Sequence, residues 1–265
     1  NATDSIKLQK GIDKLMQWCQ DWGMFLHPDK CVVVNFGSKN PRNTYNIDGS
    51  QVQPADVVRD LGLYVSNNCK PSAHVDKITK KAHGVLFQIR HNIIVRDALT
   101  IKALYLSFVR PLLESAAPAW NPHNRADVEA IEKVQKRALR MISNLGNMNY
   151  EEKLKTLGIQ SLEDRRLRGD LIETFKYMNG FINIDPNKLF SFVRDRHTID
   201  TRSHANDCLV PEKTHLDIRK YFYVNRITDA WNRLPNEIRT ATSINSFKNM
   251  YDDHLNSNIL QLPTL

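Results

Sequence analysis

Three kinds of side chain in this sequence have types and spacings that fit chemistry: paired carboxylates, clustered cations and a lysine at a turn. Asp252 and Asp253 are adjacent. Neighbouring carboxylates hold a divalent cation where a strand or turn aims them together with a third ligand. These two follow Tyr251 inside a helical pattern, so a solvated helix face accounts for them better. Lys133, Arg137 and Arg140 recur at steps of four and three, with Lys136 beside them. Such a stripe can track the phosphates of a nucleic acid. It fits equally a solvated helix face balanced by Glu129 and Glu132. A second basic run, RRLR (165–168), is flanked by Glu163, Asp164 and Asp170 and reads as helix-surface ion pairs. A third patch combines Lys77, Lys80 and Lys81. Lys30 lies in HPDKCVVVNFG (27–37), where a Pro-Asp-Lys turn feeds an apolar run. It is either a solvated turn residue or a lysine placed for chemistry.

Other chemistries find no support in spacing. Cys19, Cys31, Cys69 and Cys208 are scattered, with neither zinc spacing nor a disulfide pattern, which fits reduced thiols in an intracellular protein. His74, His83, His91, His197 and His204 have no partner at metal-ligand spacing. There is no P-loop, dinucleotide fingerprint or nucleophile elbow. Trp120 and Trp231 each precede an asparagine near a proline and read as core anchors at helix ends. The chain carries a net charge of +8, which biases it toward anionic partners, nucleic acid above all. No apolar run approaches the roughly 18–20 residues of a membrane span. The sequence opens NATDSIKLQ and enters a helical pattern at once, so it reads as a piece of something longer.

The elements that must position these residues follow from periodicity. Leu8, Ile12, Leu15, Cys19 and Trp22 trace one face of a helix. Pro28 ends any continuation, and CVVVNF (31–36) predicts a buried strand. Asp-Gly-Ser (48–50) separates TYNI from QVQ as a short hairpin. VVRDLGLYV (57–65) predicts another strand, broken at Gly62. From residue 73 the period becomes helical: Val75, Ile78, Ala82, Val85 and Ile89 form one stripe. A second helix runs from Ala98 through Leu112 with Pro111 kinking or splitting it, and a third opens after Asn124. Residues 161–180 and 220–235 predict amphipathic helices, 246–255 a short terminal one, and 183–215 polar loops with one strand at 208–211. The class is α+β, mostly α: a small helix and antiparallel-sheet unit, then a helical bundle, then further helices.

The order of these pieces resembles the later half of a reverse transcriptase, most closely those of non-LTR (LINE-type, jockey-like) retrotransposons. The strings that carry the likeness are the Trp helix, HPDKC, VVRDLGLYV, HVDKITKKA, LYLSFVRPLLESAAPAWNP (104–122), IEKVQKRALRMI (131–142), SLEDRRLRGDLI (161–172) and AWNRLPNEIRTATSINSFKNMYD (230–252). The resemblance implies a partial palm over 1–66, a helical thumb over 73–145 and a C-terminal segment over 146–265. It gives Lys30 the role of an accessory general acid that protonates leaving pyrophosphate. Leu61 and Gly62 would form the primer grip, where a glycine lets backbone approach the primer end. Lys77, Lys80, Lys81, Lys133, Lys136, Arg137 and Arg140 would hold an RNA/DNA template–primer.

The family's aromatic-x-Asp-Asp turn, third catalytic aspartate, fingers and endonuclease do not occur in this sequence. The expectation is therefore a nucleic-acid-binding fragment that is inactive alone, with no cofactor of its own. Mg2+ would belong to the intact parent enzyme, and the remaining N-terminal part of the polymerase would be a partner. The expected location is intracellular, cytoplasmic and nuclear, without a membrane. The competing class is a repurposed or decayed transposon-derived helical module that docks another protein.

Overall fold

The first helix, α1, spans Ala2–Asp21, and the face it turns inward is not the one traced by its large apolar residues. The computed structural model describes residues 2–37, 39–195 and 208–260, so His197 and His204 lie outside the described residues. Ser5, Gln9, Ile12, Met16 and Cys19 form the covered line of α1, while Leu8, Leu15, Trp18 and Trp22 are exposed. Polar anchoring sets this rotation. Gln9 exchanges two hydrogen bonds with the Asn46 backbone, Nε2 donating at 2.9 Å and Oε1 accepting at 3.0 Å. The Met16 sulfur accepts from the Asp48 N–H at 3.4 Å.

This N-terminal unit, Asn1–Lys77, has three small ladders among its described residues. Strand β1 (Val32–Val33) pairs in parallel with β4 (Gln53–Pro54), and β2 (Asn46–Ile47) pairs antiparallel with β3 (Ser50–Gln51). β5 (Val57–Asp60) pairs antiparallel with β6 (Leu63–Ser66). Two expectations are corrected here. The buried strand expected over 31–36 is a two-residue strand with Val32 exposed, because its pairing ends at Pro54, which brings no N–H to a ladder. The broken strand expected over 57–65 is a hairpin. Leu61 and Gly62 both take positive φ, 45° and 91°, which is the geometry of a two-residue turn between twisted strands. The predicted Asp48–Gly49 hairpin has the same form, with φ of 49° and 73°.

Helix α2 (Ser72–Asn92) starts in this unit and runs into the second, Ile78–Leu265. There α3 (Ala98–Leu104) is capped by Asp97, whose carboxylate accepts from the Thr100 N–H at 2.9 Å. It passes through a π-helical turn (Tyr105–Val109) into α4 (Arg110–Glu114). The wide turn sits just before Pro111, whose ring and missing N–H disrupt regular α spacing. After α5 (Ala117–Trp120), Asn124 caps α6 (Arg125–Leu139), and a reciprocal Asn149–Glu152 capping box opens α7 (Tyr150–Leu157). α8 (Leu162–Met178) is the hub of the remainder, which comprises β7 (Ser191–Phe192), β8 (Leu209–Val210), α9 (Asp217–Lys220), α10 (Tyr223–Asn232), α11 (Asn236–Arg239) and α12 (Ile244–Leu260). Leu171 and Phe175 of α8 share one core with Ile227, Trp231 and Phe247, and the Phe175 and Phe247 rings stack at 4.5 Å. Trp231 is thus a core anchor. So is Trp120, whose indole N–H donates to the Ser115 carbonyl at 2.8 Å.

The whole is mostly helical with small sheets. Among the described residues no helix is long and apolar enough to cross a membrane.

Candidate nucleic-acid interface

The second half of α2 and the last turns of α6 face each other across a cleft of about 640 Å3. His83, Leu86 and Arg90 line it from α2, Arg96 from the connection to α3, and Lys133, Arg137, Arg140, Met141 and Ser143 from the other side. Its rim is braced by backbone: the Ser143 N–H donates to the Arg96 carbonyl at 3.0 Å. Arg96 also donates from Nη2 to the Arg90 carbonyl at 3.4 Å, which holds two of the arginines near one another.

No Asp or Glu stands among the described lining residues. The two carboxylates expected to balance the α6 stripe are engaged elsewhere. Glu129 accepts from Arg125 at 2.8 Å on the exposed side of the helix. Glu132 is buried, accepting from the Tyr150 hydroxyl and from the Leu162 N–H at 3.1 Å. Lys133, Arg137 and Arg140 are therefore exposed cations with no ion pair among the described residues. Their field reaches His83. Burial, then Arg137, then Lys133 push its pKa down from 6.5, so the imidazole is neutral at pH 7. Its Nδ1 is buried without a hydrogen-bond partner.

The arginines of RRLR have a different fate, and they do not pair along the helix surface as expected. Arg165 makes a two-pronged pair with Glu114, Nη2 to Oε2 at 2.9 Å, and Arg168 pairs with Asp252 at 2.7 Å through both nitrogens. Arg166 turns inward, 1% exposed, and donates from Nε to Asn121 at 3.0 Å. A helix packed on several sides brings distant carboxylates nearer than the i,i+4 neighbours. Asp252 is accordingly an ion-pair partner as well as a partly solvated carboxylate. Among the described residues no three His, Cys, Asp or Glu side chains are placed to hold a metal ion.

The other expected site residues are dispersed. Lys136 stands over the Tyr150 ring, 4.9 Å from its centroid, outside the cleft. Lys80 and Lys81 are exposed on α2. Lys80 lies about 60° round the helix axis from His83, beside the cleft, and Lys81 about 160° away. Lys77 belongs to the N-terminal unit. Lys30 is exposed at the end of a 3-10 turn, Pro28–Lys30. Leu61 and Gly62 form the exposed hairpin tip. No hydrogen bond or ion pair among the described residues joins Lys30 to that tip.

Sequence reasoning missed His83, Arg90 and Arg96. A signal for them exists: residues 77–96 and 133–150 contain no Asp or Glu, and these are the two stretches that line the cleft.

Over 189 residues the sequence is 22% identical to the RNA-directed DNA polymerase from the mobile element jockey of Drosophila melanogaster. The chain is related in sequence to a retrotransposon reverse transcriptase. The match covers 69% of this chain and 20% of that protein, so the chain spans about a fifth of the length of the relative it matches. No protein family profile matches the chain. No solved structure matches it.

Proposed function

We propose that this chain is part of a non-LTR retrotransposon reverse transcriptase and contributes template–primer binding, through the basic cleft between α2 and α6, rather than the chemical step. The observation that carries this reading is the separation of charges on α6. Glu129 and Glu132 are committed to Arg125, Tyr150 and Leu162, which leaves Lys133, Arg137 and Arg140 unneutralised beside Arg90 and Arg96. Like charges gathered without counter-ions attract a polyanion and release its condensed counter-ions on binding. The polymerase domains implied by the likeness, palm over 1–66 and thumb over 73–145, are part of this proposal. So are the accessory role of Lys30 and the primer-grip role of Leu61 and Gly62. Magnesium and its aspartate ligands would come from the rest of the polymerase.

A gel shift on an RNA–DNA hybrid carrying a single-stranded template extension tests it. Affinity should fall steeply with salt, with a log–log slope of about −4 if most of the cleft's cations meet phosphates. The K133Q/R137Q/R140Q variant should lose most of that binding while remaining folded. No shift at low salt with a folded sample overturns the reading. Primer extension with magnesium should give no product from this chain alone.

A second reading rests on α1. Trp22 is 70% exposed, and Leu8, Leu15 and Trp18 continue the same apolar face. Such a face fits burial against another polypeptide, which in the first reading is the N-terminal part of the polymerase. The α8 helix offers no comparable surface, since Leu162, Leu171 and Phe175 are buried.

A further inference from the structure

The rim of the basic cleft carries exposed apolar and aromatic side chains that phosphate binding does not use. Phe87 is 58% exposed on α2. Helical spacing places it about 40° round the axis from His83 and between the turns that carry His83 and Arg90. It therefore borders the cleft without lining it. The neighbouring His91 ring lies nearly parallel to it, 7° between planes and 6.1 Å between centroids. Ile94 and Val95 are exposed in the short connection between Arg90 and Arg96, two of the lining arginines. Exposed aromatic surface beside a row of cations is the combination that single-stranded nucleic acid requires. The cations meet the backbone and the ring faces take unpaired bases. A duplex keeps its bases inside the stack and offers no face to such a ring.

Resting on the nucleic-acid reading above, we propose that the cleft takes the unpaired strand of its nucleic-acid partner, with a base stacked on Phe87 and the flanking phosphates on Arg90, Lys133 and Arg137. The duplex portion of a template–primer then lies outside the cleft, and the cleft fixes the strand beside it.

Fluorescence anisotropy with three probes tests this: a 12-nucleotide oligothymidine, a blunt RNA–DNA hybrid, and the same hybrid with a single-stranded extension. The extended hybrid and the oligothymidine should bind about tenfold or more tighter than the blunt hybrid. Phe87→Ala should erase that preference and leave the salt dependence unchanged. Phe87→Tyr should retain the preference, and Phe108→Ala, at another exposed aromatic, should change nothing. 2-Aminopurine in the oligonucleotide should be quenched by the wild type and not by Phe87→Ala. Equal binding of blunt and extended hybrids, or an unchanged preference in Phe87→Ala, overturns the stacking role while leaving phosphate binding standing. No binding of any probe at low salt overturns the nucleic-acid reading itself.

Discussion

Asp170 receives the guanidinium of Arg226 in a two-pronged pair, Nε to Oδ2 at 2.9 Å and Nη2 to Oδ1 at 3.0 Å, with its carboxylate 1% exposed. Asn121 bridges this pair to Arg166: its Nδ2 donates to Asp170 at 3.0 Å while its Oδ1 accepts from the Arg166 Nε at 3.0 Å. One buried carboxylate thus faces two largely desolvated cations from α8 and α10, and burial pulls the Arg166 pKa down. Removing one partner of a buried pair leaves the other charge without compensation. Asp170→Asn should therefore cost about 3–5 kcal/mol in urea denaturation. The double change Asp170→Leu with Arg226→Met should cost less than the sum of the single changes.

Arginines of the same chain should separate by role. Arg168→Ala removes the pair with Asp252 and should lower stability by about 1 kcal/mol, since Asp252 is partly solvated, while leaving the salt dependence of nucleic-acid binding intact. Arg137→Gln should do the reverse: no loss of stability, and a salt slope shallower by about 1. Denaturation and salt titration of the two variants side by side check this.

Acid should act on the two histidines whose pKa is lowered. His74 is buried, and its Nδ1 accepts the Tyr64 N–H at 3.2 Å, so burial holds it below 6.5. The unfolded chain then binds a proton that the folded chain refuses. The contribution of His74 is fully present above about pH 6.5 and is lost as pH falls through the folded value. Hydrogen exchange at the Tyr64 amide, corrected for intrinsic rate, should lose protection between pH 7.5 and pH 5. His83 obeys the same sign, and a phosphate in the cleft opposes the Arg137 and Lys133 fields that help to lower it. Nucleic-acid binding should therefore take up a proton and tighten as pH falls below 7, and His83→Gln should flatten that dependence.

Leu61 is a fully exposed leucine held at φ 45°, a left-handed conformation that favours glycine or asparagine. Leu61→Asn should stabilise the N-terminal unit by about 1 kcal/mol, and Gly62→Ala, at φ 91°, should destabilise it by at least as much. Thermal melts measure both. If the tip grips a primer end, Leu61→Asn weakens template–primer binding even as it raises stability.

Much of the helical half was legible from spacing and caps. Asn124 opens its helix as N-cap chemistry requires, Pro111 interrupts the helix that contains it, and the helix expected from residue 161 is present. Of the N-terminal ladders only the Asp48–Gly49 hairpin was legible. The ladders' strands are two to four residues long, too short for alternation to distinguish a strand from a hairpin, and Leu61–Gly62 does not carry the usual turn signal of Asn or Asp before glycine. The stripe of α1 marked a helix but not which way it turns: Ile12 and Cys19 are covered and Leu8 and Leu15 exposed, with Gln9 and Met16 making polar contacts that a hydrophobic pattern does not register.

By itself the sequence determined the helices, the basic stripe on α6 and the likeness to a reverse transcriptase, because periodicity and motif order are local and survive in one dimension. Only the tertiary structure decided which cations are free. Glu129, Glu132, Asp170, Glu114 and Asp252 choose their partners by distance in space, across separations as large as 84 residues. That choice consumes Arg165 and Arg168 of RRLR and leaves the cations of the cleft exposed. Neutralisation falls off within a few ångströms, so a carboxylate one residue away along the chain counts for less than one packed against the side chain.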